Sequence, residues 1–520
     1  MKPQMTQTIR CRNPSTGEVL RELEVTPLEQ LPALFDRSRA AQRAWAAVPL
    51  KRRADHLLSL REILLNHVEE IATLISQENG KPKFEALAND LLPVIDALTF
   101  FAKKGPLVLK DRNIPMSLMW HRKSTLNYWP LGITLIISPW NYPFQLPFGT
   151  LAMSLIAGNS VLFKPSEITP LIGLKIQELC DESGLPHDLV QTIIGDGATG
   201  AALVDLKPGK IFFTGSVLTG KKVMAASSKN LTPVNLELGG KDAMIVLTDA
   251  NLDFATSAAL WGGYSNSGQV CASTERVIVH ERIAEPFLAL LAKKLAVLKQ
   301  GDPLAGNFDL GSITFEKQKE TYARHIQEAK DSGAQFICGG ELNEAHTNLK
   351  PTLVTGPNIE KLAIYREETF GPVVAATTFK TIPEAIKKAN DSPYGLLASV
   401  ITNDLAQGDR IARELEVGTV TINEVIYTGG LAETPWGGIK ESGMGRTHSA
   451  EGLLEFVNVR HIHTSVSRLF VFKSPWWFPY TPFQYEMASQ FLQLFRRHWT
   501  DKLRAVPLFL WNVAQYIKNE

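Results

Sequence analysis

The sequence predicts an α/β protein built on parallel sheets, and three observations support this. Short apolar runs such as 132–137 have the composition of strands that are buried on both faces. These runs alternate with segments whose apolar residues recur at helical spacing. With 520 residues, of which 44% are hydrophobic, the chain is long enough for two or three domains with large cores.

The first 240 residues contain the elements of one such sheet. Residues 31–99 are predicted to be helical, because their alanines and leucines recur three and four positions apart. Residues 116–129 alternate between apolar and polar, as in a hairpin. The run that follows predicts strands at 132–137, 160–163, 190–194 and 210–214, with helices at 173–183 and 198–206 between them.

A second α/β region extends from residue 240 to about residue 430. Its predicted strands lie at 243–247, 276–279 and 373–379. The boundary between the two regions falls at 237–240, and clefts between domains are common places for binding sites. We therefore expect functional residues near this boundary.

Composition excludes several classes of function. The formal net charge is +1 and no basic run is interleaved with aromatics, so nucleic acid is not an expected partner. The four cysteines are far apart, without metal-ligand spacing, which favours free thiols in a reducing compartment and no metal site. The first twelve residues do not form a secretory signal, and no apolar run approaches the ~20 residues that span a bilayer. We expect a cytoplasmic protein.

Two short motifs near the boundary carry the chemistry. Glu237 lies between apolar residues before two glycines, and Cys271 follows it by 34 positions in a sparsely charged segment. A thiol and a carboxylate in such surroundings suit covalent catalysis, with the thiol as nucleophile and the carboxylate as base. Taken singly, each has a plainer interpretation: an inert buried cysteine and a solvated strand end.

In this order and spacing, the two motifs resemble the glutamate and cysteine signatures of the NAD(P)-dependent aldehyde dehydrogenase superfamily. The resemblance extends over about residues 8–465 and implies an aldehyde-dehydrogenase-like fold. Its parts would be a Rossmann-like NAD-binding domain, an α/β catalytic domain, a small β oligomerisation arm and an aromatic-rich C-terminal extension. The corresponding boundaries are 1–115 with 134–238, 239–430, 116–133 with 447–465, and 466–520.

Two glycine-rich turns compete as the phosphate-binding element. Residues 195–200 match G-x-G-x-x-G, but no acidic residue ends the next strand, so we interpret them as an ordinary turn. The better candidate is 213–220, which resembles the family's F-T-G-S-x-x-x-G segment, with backbone amides and a serine hydroxyl at a helix start. Its predicted cofactor-binding residues are Gly215, Ser216 and Gly220.

The resemblance assigns further cofactor contacts. Lys164 and Glu167 match K-P-[AS]-E and would contact the adenosine ribose, where a carboxylate favours NAD over NADP without excluding NADP. Glu368 and Phe370 match E-x-F-G-P and would hold the nicotinamide ribose and pack near its ring. By the same resemblance, Trp140 and Leu238 border the cofactor.

The resemblance also completes the catalytic set. Asn141 offers an uncharged amide donor for an oxyanion, together with the backbone N–H of Cys271. Cys271 would attack the aldehyde to give a thiohemiacetal and then a thioester, and Glu237 would activate the water that releases the acid. Members that pass the acyl group to coenzyme A lack this glutamate, so its presence favours hydrolysis. Residues 435–446 resemble a further family motif, P-[FW]-G-G-x-K-x-S-G-x-G-R.

The segment beyond residue 465 has no counterpart in the resemblance. It holds 14 of the 44 aromatics, including four of the ten tryptophans. From Phe483 onward its pattern is helical, with apolar and basic residues on adjoining faces: Phe491, Leu494, Phe495 and Trp499, and Arg496, Arg497 and Lys502. Three interpretations stay open: packing against its own or a neighbouring subunit, a place in a membrane interface, or a cover for the substrate tunnel.

The expected substrate is a medium- or long-chain aliphatic or aromatic aldehyde. The residues predicted to line the tunnel, Trp140, Tyr142, Val270 and Ala272, supply no charge for a semialdehyde. The alternatives are a CoA-acylating relative, a semialdehyde dehydrogenase, and an inactive scaffold, although every chemical position is intact. We expect a homodimer or homotetramer formed through the predicted hairpin at 116–129 and a strand at 453–463.

Overall fold

The structure is a computed structural model. It describes residues 7–119, 121–341, 349–470, 474, 476–497, 506–507, 509–512 and 514–515. The chain divides into two compact units. The first comprises Met1–Lys110 and Tyr128–Val459, and the second comprises Asp111–Asn127 and Arg460–Glu520.

The strands account for five sheets within the described part of the chain. In chain order they are β1 (Thr8–Arg12), β2 (Val19–Glu24), β3 (Arg112–Ile114), β4 (Arg122–Pro130), β5 (Ile133–Ile137), β6 (Ser160–Lys164), β7 (Val190–Thr192), β8 (Lys210–Thr214), β9 (Val234–Glu237), β10 (Ala243–Val246), β11 (Arg276–His280), β12 (Gln335–Cys338), β13 (Thr352–Thr355), β14 (Val373–Phe379), β15 (Tyr394–Gly395), β16 (Leu397–Ile401), β17 (Thr419–Ile422), β18 (Ile439–Lys440), β19 (Gly443–Met444) and β20 (Val457–Ser465).

The α-helices cover the faces of these sheets or extend from them. In chain order they are α1 (Leu31–Ala46), α2 (Leu50–Asn66), α3 (Val68–Asn79), α4 (Lys83–Glu85), α5 (Leu92–Val108), α6 (Gln145–Ala157), α7 (Pro170–Glu182), α8 (Gly197–Asp205), α9 (Val217–Ser228), α10 (Leu252–Tyr264), α11 (Glu281–Leu295), α12 (Lys317–Asp331), α13 (Ala363–Arg366), α14 (Ile382–Asn390), α15 (Leu405–Ala412), α16 (Ser449–Leu454) and α17 (Pro482–Gln493).

The first predicted sheet is present and has six strands in the order β19-β9-β8-β5-β6-β7. Its pairs β5–β6, β5–β8, β6–β7 and β8–β9 are parallel. All five residues of β5 and of β6 are buried, because helices cover both faces of the sheet. The carboxyl ends of its parallel strands therefore meet along a single edge, where doubly wound sheets bind their ligands.

The second predicted sheet has seven strands in the order β12-β13-β14-β11-β10-β16-β17. All its pairs are parallel except β12–β13. β9 belongs to the first sheet and ends at Glu237, whereas β10 begins the second sheet at Ala243. The boundary predicted at 237–240 thus lies between the two sheets.

Three predicted segments differ in detail from the structure. The helical stretch 31–99 is divided into separate helices, with a π-helical turn at Ala86–Leu91. The hairpin predicted at 116–129 begins earlier, because its first strand is β3, while its second strand, β4, lies almost wholly within the predicted range. The first residues of the strand predicted at 453–463 belong to the end of α16, and the strand itself, β20, begins at Val457. Sequence patterns place such boundaries poorly because helix and strand ends are set by packing. The division of the first unit into cofactor and catalytic domains stays a prediction.

The second unit contains β3, most of β4 and β20, and the C-terminal segment. Seven aromatic side chains in the described part of that segment are more than half exposed. Five of them lie close together in sequence, and we call these the C-terminal aromatic surface: Trp476, Trp477, Phe478, Tyr480 and Tyr485. α17 ends at Gln493, so Leu494 and Phe495, which the pattern places on the helix, lie beyond its C-terminal end. Trp499 and Lys502 lie outside the described residues. Of the helices in the described ranges, none has the length and apolar character needed to cross a bilayer.

Candidate active site

The edge formed by the carboxyl ends of β5, β6 and β8 brings the predicted cofactor residues together. Trp140 and Asn141 follow β5, Lys164 ends β6, and Gly215 follows β8. These strands are adjacent and parallel, so the residues at their ends share one side of the sheet.

The turn between β8 and α9 has the geometry of a phosphate-binding element. Ser216 is the N-cap of the twelve-residue helix α9, and its hydroxyl accepts a hydrogen bond from the backbone N–H of Thr219 at 3.3 Å. A Cβ added to Gly220 would come within 2.6 Å of Leu238 Cδ2, so only a glycine lets the helix pack so closely on Leu238. The positive end of α9 and this close packing fit the pyrophosphate of a dinucleotide.

At the competing glycine turn, the N-terminus of α8 is capped by the side chain of a residue of the turn itself. The carboxylate of Asp196 accepts hydrogen bonds from the N–H groups of Ala198 and Thr199 at the start of α8. A carboxylate in that position supplies the negative charge that a phosphate would otherwise bring, and it repels a second anion. This supports the interpretation of residues 195–200 as an ordinary turn.

The predicted adenosine-ribose residues form an ion pair. Lys164 Nζ lies 3.0 Å from Glu167 Oε2, with the lysine side chain buried and the glutamate side chain 44% exposed. The carboxylate is therefore oriented by the lysine yet accessible to a ribose. This arrangement suits the acceptance of hydrogen bonds from ribose hydroxyls.

Glu368 and Phe370 lie in the loop before β14. Glu368 Oε1 accepts a hydrogen bond from the backbone N–H of Gly240 at 2.9 Å, which ties this loop to the one after β9. Burial, followed by the charge of Glu275, raises the pKa of Glu368 to about 8. Phe370 has φ of +51° and packs edge-on against Trp140 at 5.4 Å between ring centroids. A bulky residue in the left-handed region costs roughly 1–3 kcal/mol, so its surroundings must hold it there.

Cys271 follows a tight turn in which three successive residues have positive φ: Asn266, Ser267 and Gly268. The turn is held by the buried side chain of Gln269, which donates to the carbonyl of Asn266 and accepts from the N–H of Thr314. Such strained turns are common where a side chain is aimed into a site.

The ionisation of Cys271 is unfavourable in the free enzyme. Burial and the nearby carboxylates of Asp242, Glu237 and Glu368 raise the pKa of its thiol far above the usual range. All four cysteines are free thiols. Cys11 and Cys180 are buried in the cores, and burial raises the pKa of Cys180 as well.

Glu237 is buried, and neither carboxylate oxygen has a hydrogen-bond partner among the described residues. Burial raises its pKa well above the usual value, and the positive charge of Arg446 opposes that rise. An unpartnered carboxylate of this kind costs stability, and groups with strongly perturbed pKa values cluster at functional sites. A raised proton affinity is what a general base needs to accept a proton from water.

Asn141 is 2% exposed and lies beside the nucleophile loop. Its Nδ2 donates to the carbonyl of Gln269 at 3.1 Å, two residues before Cys271. The backbone carbonyl of Asn141 accepts hydrogen bonds from Lys81 Nζ at 2.8 Å and from Asn266 Nδ2 at 3.0 Å. The amide donor predicted for an oxyanion is thus fixed from both sides.

A cavity opens at Cys271 and holds about 550 Å³ of space free of protein atoms when the solvent at its mouth is counted. Its lining contains no charged side chain: Ala88, Asn89, Pro93, Tyr142, Gln145, Leu146, Trp261, Val270, Cys271, Ala272, Ile426, Tyr427, Gly429, Gly430 and Trp436. Three of the four predicted lining residues are there, but Trp140 is not, because its ring packs on Phe370 and Phe315 instead. Sequence reasoning missed Trp261 and Tyr427, whose positions carry no motif.

A thiol, an unpartnered carboxylate and an amide donor lie between a dinucleotide-type sheet edge and a second parallel sheet. This combination is the one expected of a dinucleotide-dependent oxidoreductase. The sequence profile described as "Aldehyde dehydrogenase family" matches residues 1–462. The chain belongs to that family.

Individual relatives agree with this assignment. The chain is 39% identical to a 4,4'-diapolycopene aldehyde oxidase of Methylomonas sp. over 487 residues, covering 93% of this chain and 91% of the relative. It is 37% identical to a betaine aldehyde dehydrogenase of Cereibacter sphaeroides, covering 87% and 93%. The NAD+ complex of an aldehyde dehydrogenase from Bacillus cereus superposes with a TM-score of 0.85 at 32% identity, covering 89% and 94%.

The predictions of family, fold class and activity are therefore confirmed. The protein is an NAD(P)-dependent aldehyde dehydrogenase that oxidises aldehydes.

Proposed function

We propose that this enzyme oxidises medium- or long-chain aliphatic or aromatic aldehydes to the free acids. The observation that carries the proposal is the lining of the cavity at Cys271, in which no side chain is charged. A charged aldehyde would lose hydration on entering such a cavity without gaining an ion pair, whereas an apolar chain gains about 0.8 kcal/mol per buried CH₂. The relative named for diapolycopene aldehyde, an aldehyde of a hydrocarbon, points the same way.

Three residues divide the chemistry between them. Cys271 Sγ attacks the aldehyde carbonyl as a thiolate and forms the C–S bond of a thiohemiacetal. Asn141 Nδ2, now donating to the carbonyl of Gln269, donates to the oxyanion together with the N–H of Cys271. Bound NAD supplies the hydride acceptor for the oxidation to the thioester. Lys164, Glu167, Ser216 and Glu368 are the residues proposed to hold it.

Glu237 acts as the base of the second half of the reaction. Its carboxylate takes a proton from water as the water attacks the thioester, and it then passes this proton to the Cys271 thiolate as the C–S bond breaks. The absence of any partner for either oxygen among the described protein groups supports this role, because both oxygens are available to a water molecule. Release by hydrolysis rather than by transfer to coenzyme A follows from it.

A series of straight-chain aldehydes from acetaldehyde to dodecanal tests the substrate class. We expect kcat/KM to rise several-fold for every two carbons until the cavity is filled. NADH formation should not depend on coenzyme A. A flat series, or a preference for succinic semialdehyde, would refute the proposal.

A cationic aldehyde is the second candidate, because a specific observation favours it. Four of the lining residues are aromatic: Tyr142, Trp261, Tyr427 and Trp436. Ring faces attract quaternary ammonium groups by up to about 2 kcal/mol each when desolvated. Asp96, one turn from the lining residue Pro93, adds negative charge near Glu433. A relative is a betaine aldehyde dehydrogenase. Betaine aldehyde and its uncharged isostere 3,3-dimethylbutanal separate the two candidates, since only the cationic proposal predicts a preference for the former.

We propose that the enzyme forms a homodimer or homotetramer through β3, β4 and β20. Apolar side chains are exposed on the outer strand, including Val459 and Ile462 of β20, and an edge strand with apolar residues favours pairing with another copy. Ile462→Glu should lower the mass measured by light scattering to that of the monomer. An unchanged mass would show that the contact lies elsewhere.

We further propose a cytoplasmic location with peripheral membrane contact through the C-terminal aromatic surface. Exposed Trp and Tyr rings with neighbouring arginines suit the membrane interface. Flotation with vesicles containing anionic phospholipid should carry the full chain but not a chain ending at residue 465. Equal flotation of both would contradict the proposal, and so would recovery of both in the unbound fraction.

A further inference from the structure

The loop that carries Glu368 and Phe370 is anchored by a buried ion pair. Lys241 and Glu275 are each 1% exposed, and Lys241 Nζ contacts Glu275 Oε2 directly. Lys241 Nζ also donates to Thr369 Oγ1 at 3.2 Å. The pair therefore joins the segments after β9 and before β11 to the loop before β14.

The carboxylate of Glu275 holds the backbone of that loop. It accepts hydrogen bonds from the N–H of Thr369 at 2.9 Å and from the N–H of Phe370 at 2.8 Å. These are the two residues that follow Glu368. Phe370 keeps a positive φ although it has a bulky side chain, and this bond fixes its backbone nitrogen.

The ion pair of Lys241 with Glu275 is also linked to the carboxylate of Glu368. Gly240, whose N–H donates to Glu368 Oε1, directly precedes Lys241. Glu275 lies four residues after Cys271. The ion pair is thus connected through the backbone to the nucleophile loop and through hydrogen bonds to both residues of the predicted nicotinamide side.

We propose that Glu275, held by Lys241, is a positioning residue that keeps Glu368 and Phe370 arranged to receive the nicotinamide end of the cofactor. The inference rests on the roles proposed above for those two residues. A contribution to stability alone does not explain the pair, because well-packed apolar residues are generally as stable as a buried ion pair. What apolar residues cannot supply is the acceptor for the two backbone N–H groups.

Cofactor binding without aldehyde tests the inference apart from the substrate proposal. NAD is titrated by calorimetry into enzyme carrying Cys271→Ala, with and without Glu275→Gln. The glutamine has the shape of glutamate but loses the charge that binds Lys241. If the loop then spends about a tenth of the time in its binding arrangement, Kd for NAD rises about tenfold. In enzyme with an intact Cys271, KM for NAD should rise in parallel, and KM for the aldehyde should change by less than about twofold.

Glu367→Gln is the matched control. It removes the same charge from a residue next to Glu368, but Glu367 is half exposed and pairs with Arg324 and His325 rather than with Lys241. We expect its Kd for NAD to match that of the parent. The variant Glu368→Gln tests the proposed role of Glu368 separately, since an unchanged Kd there would refute that role whatever Glu275 does.

A lower unfolding temperature for Glu275→Gln with an unchanged Kd would overturn the inference and leave the pair a purely structural one. If the single variant does not fold, the double variant Lys241→Gln with Glu275→Gln removes both charges and leaves none uncompensated. A raised Kd for NAD in the folded double variant supports the positioning role, and an unchanged Kd overturns it.

Discussion

Replacement of Gly239 by alanine tests the proposed role of Glu368 by moving its carboxylate. A Cβ built on Gly239 overlaps both carboxylate oxygens of Glu368 and lies 2.5 Å from its Cδ. Carbon atoms in ordinary contact are about 3.5 Å apart, so the carboxylate must retreat by about 1 Å. Gly239 does not have a positive φ, so the alanine itself meets no backbone strain.

The displacement removes one hydrogen bond and misaligns the carboxylate. The bond from the N–H of Gly240 is 2.9 Å long, and about 1 Å more places it outside hydrogen-bonding range. At pH 9, above the pKa of about 8 that burial gives Glu368, this group is charged, and a hydrogen bond to a charged group contributes about 1.5–3 kcal/mol. If the misplaced Glu368 forfeits one such bond to the ribose, Kd for NAD rises about 10- to 150-fold.

Calorimetric titration of NAD into the Gly239→Ala variant measures this directly. The matched control is Gly197→Ala in the competing glycine turn, where an added Cβ has no atom within 4 Å. We expect the control to bind NAD as the parent does. A folded Gly239→Ala variant with a Kd within twofold of the parent would refute the role of Glu368. Loss of NAD binding in the Gly197→Ala control would indicate that residues 195–200 bind the phosphates of the cofactor.

Three further outcomes are expected. Cys271→Ala should abolish NADH formation in a spectrophotometric assay while Kd for NAD stays within about twofold, and residual turnover would require a second nucleophile. Glu237→Gln should give a rapid burst of NADH followed by turnover slowed by about 10²–10⁴-fold, and loss of the burst itself would place Glu237 before deacylation. Because burial and nearby carboxylates raise the pKa of Cys271, the thiolate is scarce at pH 7. Alkylation of the cofactor-free enzyme by iodoacetamide should therefore accelerate by up to about tenfold per pH unit above 7, and a rate that is flat with pH would mean the thiolate is already formed.

The sheets could be predicted from sequence because burial on both faces leaves a local signature. Residues 133–137 and 160–164 are wholly buried strands, and short apolar runs such as theirs are typical of strands in parallel sheets. The catalytic candidates could be predicted because each lies in a short contiguous motif. Helix and strand boundaries, such as the start of β20, could not be predicted from sequence, because packing rather than local sequence sets them.

The full lining of the cavity and the ion pair of Lys241 with Glu275 could not be predicted, since both are assembled from distant parts of the chain. Pro93, Trp261 and Tyr427 meet at one cavity although long stretches separate them in sequence. Glu275 could have drawn notice as a charged residue just after the nucleophile. Its partners Thr369 and Phe370, however, lie 94 and 95 residues further on, and no local pattern links them.

The first sheet is completed at one edge by a segment from near the end of the family region. β19 pairs with β9 at Glu237, and Ser442 donates to the carbonyl of Gly239, which precedes it by 203 residues. Synthesis adds about 5–20 residues per second, so β19 is made about ten seconds or more after β9. Until then the growing chain exposes one unpaired edge of β9 beside Glu237, an edge on which other chains can assemble. The enzyme's yield in a cell should accordingly depend on chaperones that shield this edge on the ribosome.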